Sequence, residues 1–493
     1  MPTKEHNVEF YYDISCPFAY IALLRIEALA SRINANIIWT PVLLGAVYRL
    51  TAAPQGAAGS ASDVFNPAKR QISSASFART LKRYHVPHNP ALTHLRKTTT
   101  ALRLILDFPN EDRPALTKAL YKAYWVDAKD ITDHNVLLDI ARQSGIASAQ
   151  ALTMDIFYDE TDRKELERAA NDVIAKGSPG VPAFWVEDEV YTDGKGTQHQ
   201  GRLYWGQDRM LFVEAQLKAL QLGVSFSAVP NISSLHPRVI WKLPDPIARS
   251  AVKLEFWFDF SSPWAFLGWT QLNSLRKMFG SRLEIVMKPI LLGALSREIG
   301  APMMPMMAVS EQKRNQGYLD MVDWVRYWNA VHGQERTMDK RIEFRFTDTF
   351  PIRSPVLLRC AIVDPGCIPV IYRACWEENL DIADERILAG KLASAGIDAA
   401  SLFAQASTQR VKDILRVNTQ EAKDLGICGV PSYRVSYGNA DDWPTKSGIL
   451  WGQDEMNVVK DLLAGWNEEK DYYSVARVRD NSDKNESKEG AKL

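Results

Sequence analysis

The sequence predicts an α/β protein made of two tandem copies of one domain, each with a large all-helical insertion after its second strand. Three observations predict it. A short motif, YYDISCPFAY at 11–20, returns as WFDFSSPWAF at 257–266. Four further motifs also return, at a nearly constant offset of about 246 residues. They are TPVLLGAVYR and KPILLGALSR, YWVDAKDITD and CWEENLDIAD, GSPGVPAFWV and GICGVPSYRV, and LYWGQDRM and ILWGQDEM. Finally, the same alternation of strand-like and helix-like segments runs through both halves. An offset this long means two whole domains, not a solenoid with a period of about 20–50 residues.

Each copy opens on a short aromatic and apolar run, VEFYYD at 8–13 and KLEFWFD at 253–259, which reads as a buried strand. Next comes Cys16-Pro17 or Ser262-Pro263 at the head of a helical pattern. Proline suits the first helical turn, because its missing N–H has no partner there in any case. A second strand follows, NIIWTPV or LEIVMKP, and then about 130 residues of helical periodicity. A strand after Gly-Val-Pro, another ending at Trp-Gly-Gln-Asp and a final amphipathic helix close each copy. Strand, helix, strand, then two strands and a helix is the thioredoxin plan. The expected boundaries are 1–222 for the first domain and 251–470 for the second, with helical insertions at about 45–175 and 295–422. The stretch 223–250 holds four prolines and little periodicity, and reads as a linker. Residues 471–493 are polar and charged, and are expected to be disordered.

Composition narrows the class. The chain has 493 residues, 46% hydrophobic and 24% charged, an ordinary globular balance with room for two full cores. Lys+Arg and Asp+Glu are both 59, so charge gives no reason to expect nucleic acid or an anionic membrane as partner. No apolar run approaches the roughly 20 residues of a membrane helix, and the N-terminal residues lack a signal-peptide pattern. Five cysteines without a C-x-x-C pair predict neither a disulfide scaffold nor a metal site, and suit a reducing compartment.

The order strand, D-x-S-[SC]-P, helix, helical insertion, G-V-P and W-G-Q-D resembles the kappa-class glutathione transferases and the 2-hydroxychromene-2-carboxylate isomerases, in the DsbA-like branch of the thioredoxin superfamily. The resemblance covers roughly 8–222 and 253–466. It implies glutathione as cofactor or co-substrate, bound in each copy between the thioredoxin-like core and the insertion. In that family a serine before the helix-opening proline hydrogen-bonds the glutathione sulfur and favours the thiolate. Ser262 matches it. Cys16 departs from it, and with Ala19 in the partner position of the DsbA-like C-x-x-C motif it has no resolving thiol for a dithiol cycle. Two readings stand for Cys16, a small buried hydrophobe or a thiol activated at a helix N-terminus and more reactive than the other four. For Ser262 the plain alternative is an N-cap.

The same resemblance implies that Val181-Pro182 and Val430-Pro431 form a cis-proline loop whose valine backbone pairs with the cysteinyl part of glutathione. Gln207-Asp208 and Gln453-Asp454 would hold the γ-glutamyl end at the head of the last helix, where free N–H groups favour anions. Their plain alternative is acids that compensate the helix dipole. The next residues, Arg209 and Glu455, differ, which makes the two sites unequal. Lys69 and Lys313 would pair with the glycyl carboxylate, the alternative being solvated lysines. Ala53 and Ala301 replace an asparagine common in the family. Cys428, three residues before Pro431, either approaches the second site or is an inert buried thiol. APMMPMMAV at 301–309 is a candidate wall for an apolar co-substrate, or core packing. Tyr124-Trp125 and Tyr327-Trp328 read as core.

The resemblance therefore implies a glutathione-dependent transferase acting on a small electrophilic or apolar molecule. The alternatives are a glutathione-assisted isomerase of an unsaturated carbonyl compound, a thiol–disulfide oxidoreductase, or a binding or scaffold role for one copy. Ser262 makes the second copy the expected seat of transferase chemistry. Family members often dimerise, so the duplication predicts an intramolecular pseudo-dimer. Ala491-Lys492-Leu493 resembles the S-K-L peroxisomal signal, with a cytoplasmic location as the alternative.

Overall fold

The computed structural model describes residues 5–89, 97–158, 161–192, 196–240, 251–337, 340–438, 443 and 445–468. The expected tail and its terminal tripeptide lie outside these residues, as does the stretch 241–250 of the expected linker.

The first copy builds a four-stranded sheet in the order β2-β1-β3-β4. Its strands are β1 (His6–Tyr12), β2 (Ala35–Pro41), β3 (Ala183–Thr192) and β4 (Gln198–Trp205). β1 pairs parallel with β2 from His6↔Ala35 to Tyr12↔Pro41, and antiparallel with β3 through Phe10↔Phe184. The second copy repeats this with β5 (Ala251–Phe258), β6 (Leu283–Pro289) and β7 (Ser432–Gly438). Its last strand is interrupted, giving β8 (Thr445–Lys446) and β9 (Leu450–Trp451), both on β7. Ser447 bridges the gap, its N–H donating to the Val435 carbonyl at 2.7 Å and its hydroxyl accepting the Val435 N–H at 2.9 Å. Central strands of this plan are covered on both faces, which explains why Phe10, Tyr11 and Tyr12 are all buried in succession.

The opening helix of the first copy runs unbroken over Pro17–Arg32, whereas the second is divided into Pro263–Thr270 and Leu272–Phe279. The sequence pattern predicts one helix there. Gln271 marks the division, its side chain drawn to Thr270 Oγ1 and to His332 Nε2, each at 2.9 Å. Between β2 and β3, and between β6 and β7, the insertions are helical as expected.

The two copies pack through their insertions. Helix Pro67–Arg83 of the first copy lies against the second, where Arg79 Nη2 donates to the Ile449 carbonyl at 2.9 Å and Arg83 pairs with Asp461 at 2.5 Å. Helix Glu311–Glu335 of the second copy answers against the first. Its Gln316 donates to the Leu203 carbonyl at 3.3 Å and its Asp323 pairs with Arg202 at 2.6 Å. Phe212 packs edge-on against Trp324 and Tyr327 across the same interface, with ring centroids 4.9 and 5.9 Å apart. The described part of the linker, 223–240, joins this core: Val229 and Ile232 are fully buried, and Gln334 donates to the Val229 carbonyl at 2.8 Å. Among the described residues no helix is long and apolar enough to cross a membrane.

Candidate functional site

Each site begins where the first strand gives way to its helix. Cys16 and Ser262 are the N-cap residues, with proline at the first helical position. Ser262 Oγ accepts the Ala265 N–H at 3.2 Å and donates to the Val430 carbonyl at 3.2 Å. Cys16 Sγ points the same way, toward the Val181 carbonyl at 3.2 Å. Val181-Pro182 and Val430-Pro431 are cis. The cis-proline loops therefore face the two helix N-termini in register.

A buried aspartate of the repeated opening motif holds each helix N-terminus in place. The buried carboxylate of Asp13 accepts the N–H of Ser15 at 2.9 Å, the N–H of Leu44 at 2.8 Å and the Thr98 hydroxyl at 2.9 Å. Asp259 does the same for Ser261 and Leu292, each at 2.9 Å. One side chain thus ties the N-cap to the start of the insertion. Its repetition in the opening motif of both copies was the available signal. The insertion completes the clamp, with Trp125 Nε1 donating to the Ile14 carbonyl at 2.8 Å and Trp376 Nε1 to the Phe260 carbonyl at 2.9 Å. Tyr124, Trp125, Tyr327 and Trp328 are buried, as the core reading expects.

Burial changes the standing of Cys16. Only 5% exposed, its thiol is pushed up to about 12, chiefly by desolvation and further by Asp13, while the amides of Ala19 and Phe18 pull the other way. A helix N-terminus favours a reactive thiol, but here removal from water outweighs it, against the expectation that Cys16 is the most reactive of the five. Of the five cysteines only Cys428 is not buried. Desolvation pushes the Cys428 thiol up to about 12 as well, but it alone is open to reagent, so we expect alkylation of the native protein near pH 8 to modify Cys428 first. Cys16 should react more slowly than an ordinary exposed thiol by a factor on the order of 10³. Peptide mass spectrometry over a time course checks this, and rapid labelling of Cys16 would reverse the order.

The Trp-Gly-Gln-Asp segments stand beside the cis-proline loops. Gly206 N–H donates to the Pro182 carbonyl at 2.9 Å and Gly452 N–H to that of Pro431 at 3.0 Å. Both glycines have φ near +108°, and a Cβ on Gly206 would meet Asp208 Oδ1 at 2.6 Å, so only glycine fits. Gln207-Asp208 and Gln453-Asp454 occupy a short 3₁₀ turn just ahead of the last helix rather than its first turn. Gln453 Oε1 accepts from Trp328 Nε1 at 2.9 Å, and Gln207 Oε1 from Arg25 at 2.6 Å.

Two features depend on both copies at once. Lys69 lies 5.4 Å from the ring of Trp451, and Lys313 lies 5.4 Å from the ring of Trp205, so each lysine faces the opposite copy's Trp-Gly-Gln-Asp. Burial lowers both ammonium pKa values, and each is far from a freely solvated lysine. Cys428 is close enough to Lys69 to feel its charge. Arg209 is held by Asp320 of the second copy through two 2.6 Å bonds, and it also contacts Asp208 and, at 3.2 Å, Asp454. Its counterpart Glu455 instead hydrogen-bonds Ser76 of the first copy. The pseudo-twofold is therefore broken where the two turns meet. Met303 and Met307 are 57% and 65% exposed, so 301–309 is surface rather than core, and Met303 borders Gly293 next to the Asp259-bound Leu292.

Two hydroxyl- or thiol-bearing helix N-termini, each facing a cis-proline loop, define a two-site protein of thioredoxin fold. A family model described as a DSBA-like thioredoxin domain matches residues 7–218 and again 253–464. The chain belongs to this family, as a tandem duplication of its domain. Glutathione S-transferase kappa 1 of Caenorhabditis elegans is 22% identical over 230 residues, spanning 44% of this chain and 93% of the relative. The 2-hydroxychromene-2-carboxylate isomerase of Sphingobium xenophagum is 23% identical over 217 residues, or 43% of this chain and 97% of the relative. Each relative thus corresponds to one copy. A solved 2-hydroxychromene-2-carboxylate isomerase structure aligns with 47% of this chain and 98% of its own, at 20% identity and a TM-score of 0.33.

Proposed function

We propose that the protein is a glutathione-dependent enzyme, a transferase acting on a small electrophilic or apolar molecule. The observation that carries this reading is the repeated constellation of helix N-cap, cis-proline loop and Gln-Asp turn, completed in each case by a lysine from the other copy. In this reading the sulfur of glutathione faces Ser262 or Cys16 and its cysteinyl backbone runs along Val430 or Val181. The γ-glutamyl end sits at Gln453-Asp454 or Gln207-Asp208. Ser262 Oγ turns its donated hydrogen bond from the Val430 carbonyl to the sulfur and so favours the thiolate. The thiolate then attacks the electrophile. Ala19 and Ala265 at the position of a resolving cysteine weigh against dithiol exchange. Isomerisation uses the same thiolate, which adds to an unsaturated carbonyl compound and leaves again. Product analysis separates the two, since transfer consumes glutathione and isomerisation returns it.

The crossed lysines give a direct test. With the first site disabled by Asp208→Ala, Lys69→Met should weaken the remaining glutathione binding while Lys313→Met leaves it nearly unchanged. With the second disabled by Asp454→Ala, the effects should exchange. A lost charged hydrogen bond is worth about 1.5–3 kcal/mol, or roughly 10- to 150-fold in Kd. Calorimetry reads both stoichiometry and affinity. If each lysine affects the site of its own copy, the composite arrangement fails, and absence of any glutathione heat overturns the functional reading.

A further inference from the structure

A cavity of about 580 Å³ lies on the first copy, away from Cys16 and Val181, between the opening helix, the last helix Met210–Leu222, the insertion and the linker. Its walls carry Arg25, Arg32, Arg83, Lys218 and Arg238, against Glu214 as the one carboxylate among the described lining residues. Arg32 and Lys218 share Glu214, at 2.6 and 3.0 Å. Arg83 and Arg238 share Asp461, buried behind the wall, at 2.5 and 2.6 Å. Arg25 lies over the Tyr84 ring at 4.1 Å and donates to the neutral Gln207 carbonyl and side chain. Tyr84 and Leu29 contribute apolar lining beside these cations.

The second copy has a cavity of about 350 Å³ at the equivalent place. The offset that carries Cys16 onto Ser262 carries Arg25, Arg32 and Lys218 onto Gln271, Met278 and Ala464. The offset that carries Lys69 onto Lys313 carries Arg83 onto Tyr327. Four cations of one cavity are therefore neutral or apolar in its twin, although both scaffolds are the same. Packing alone does not ask for these four cations, because the twin closes with uncharged side chains at their positions, although Arg238, Glu335 and Lys460 also line it.

We infer that the first copy's cavity binds a small phosphate-bearing organic molecule. Several planar guanidinium groups and one ammonium around a single concavity match a polyanion. The Tyr84 and Leu29 surfaces suit an attached apolar body, and the volume is that of an ordinary small-molecule site. Arg25 links the cavity to Gln207, so a bound phosphate competes for the same guanidinium and weakens glutathione at the first copy only. This coupling rests on the glutathione reading, whereas binding of the anion does not.

The test is calorimetry on the full chain at physiological salt with ADP, inorganic pyrophosphate and citrate, first without glutathione. Saturable ADP binding below about 1 mM is expected, with pyrophosphate weaker and citrate weaker still. Arg32→Met and Lys218→Ala install the twin's own residues, each leaving Glu214 one partner, and each should weaken ADP at least tenfold. Circular dichroism verifies that both remain folded. Absence of ADP binding, a preference for citrate over both phosphates, or unchanged affinity in both variants overturns the site. Glutathione is then titrated with and without saturating ADP. A roughly threefold or greater loss of affinity at one of two sites supports the coupling, and an unchanged titration overturns it. If ADP binds and glutathione gives no heat, the glutathione reading falls and takes the coupling with it, while the phosphate site stands.

Discussion

Ser262→Ala is expected to lower turnover about 10- to 150-fold, with far less effect on glutathione affinity. A neutral donor to a charged sulfur contributes about 1.5–3 kcal/mol, and it acts on the step in which thiolate character matters. Ser262 is placed for this, since its hydroxyl is a helix N-cap that already spends its donated bond on the Val430 carbonyl at 3.2 Å. The same substitution removes the cap accepted from Ala265, which lowers stability by about 0.5–2 kcal/mol. Turnover should therefore be compared where both forms are fully folded. The ultraviolet absorbance of bound thiolate gives a second readout: its apparent pKa should rise in the variant. Cys16→Ala should do less, because the Cys16 thiol is buried and held protonated. Loss of turnover in Cys16→Ala with Ser262→Ala intact would move the working site to the first copy. Full activity in both would remove the thiolate mechanism.

Arg209→Met should destabilise the protein by about 1.5–3 kcal/mol, the loss of charged hydrogen bonds to Asp320 and of a cation beside the partly exposed Asp208 and Asp454. Burial works against the Arg209 charge, but Asp208, Asp320 and Asp454 together hold its pKa well above the ordinary arginine value. Burial also pushes the Asp320 and Asp454 carboxyls up to about 6, with Arg209 restraining both. A carboxyl whose folded pKa exceeds its unfolded value contributes stability that is full below the unfolded pKa and is lost as pH rises through the folded one. Removing Arg209 raises both folded values further. The deficit of the variant should accordingly be largest near pH 8 and shrink as pH falls toward about 5, where the carboxyls take up protons. Urea unfolding at several pH values checks the sign, and a deficit that grows on acidification would contradict it. Arg209→Met combined with Asp320→Leu should recover much of the loss, because an apolar pair of similar volume replaces a buried ion pair at little net cost.

The chain order of amino acids was enough to read the duplication, both sheets and the frame of each site. These features are local or strictly repeated. Proline after Cys16 or Ser262 marks a helix start because it lacks the N–H that the first turn leaves unused. The glycine before Gln207 and Gln453 is required by a positive φ that other residues resist. Asp13 and Asp259 were visible as repeats, yet their work was not, since Thr98 and Leu44 reach Asp13 only once the insertion has folded back.

What only tertiary structure decided is how water and charge are distributed across the two copies. Cys16 and Ser262 share one backbone setting, but the thiol's protonation follows from desolvation by surrounding elements that no local motif encodes. Lys69 and Lys313 look like members of their own copies and instead face Trp451 and Trp205 of the other, because each insertion helix is exchanged across the interface. Arg209 and Glu455 differ by a single position in otherwise matching motifs. Their consequence, one cluster of carboxylates held by one arginine, exists only where Asp208, Asp320 and Asp454 converge from distant parts of the chain. Sequence records which charges are present, and electrostatic energy depends on the distances and burial between them, which folding alone sets.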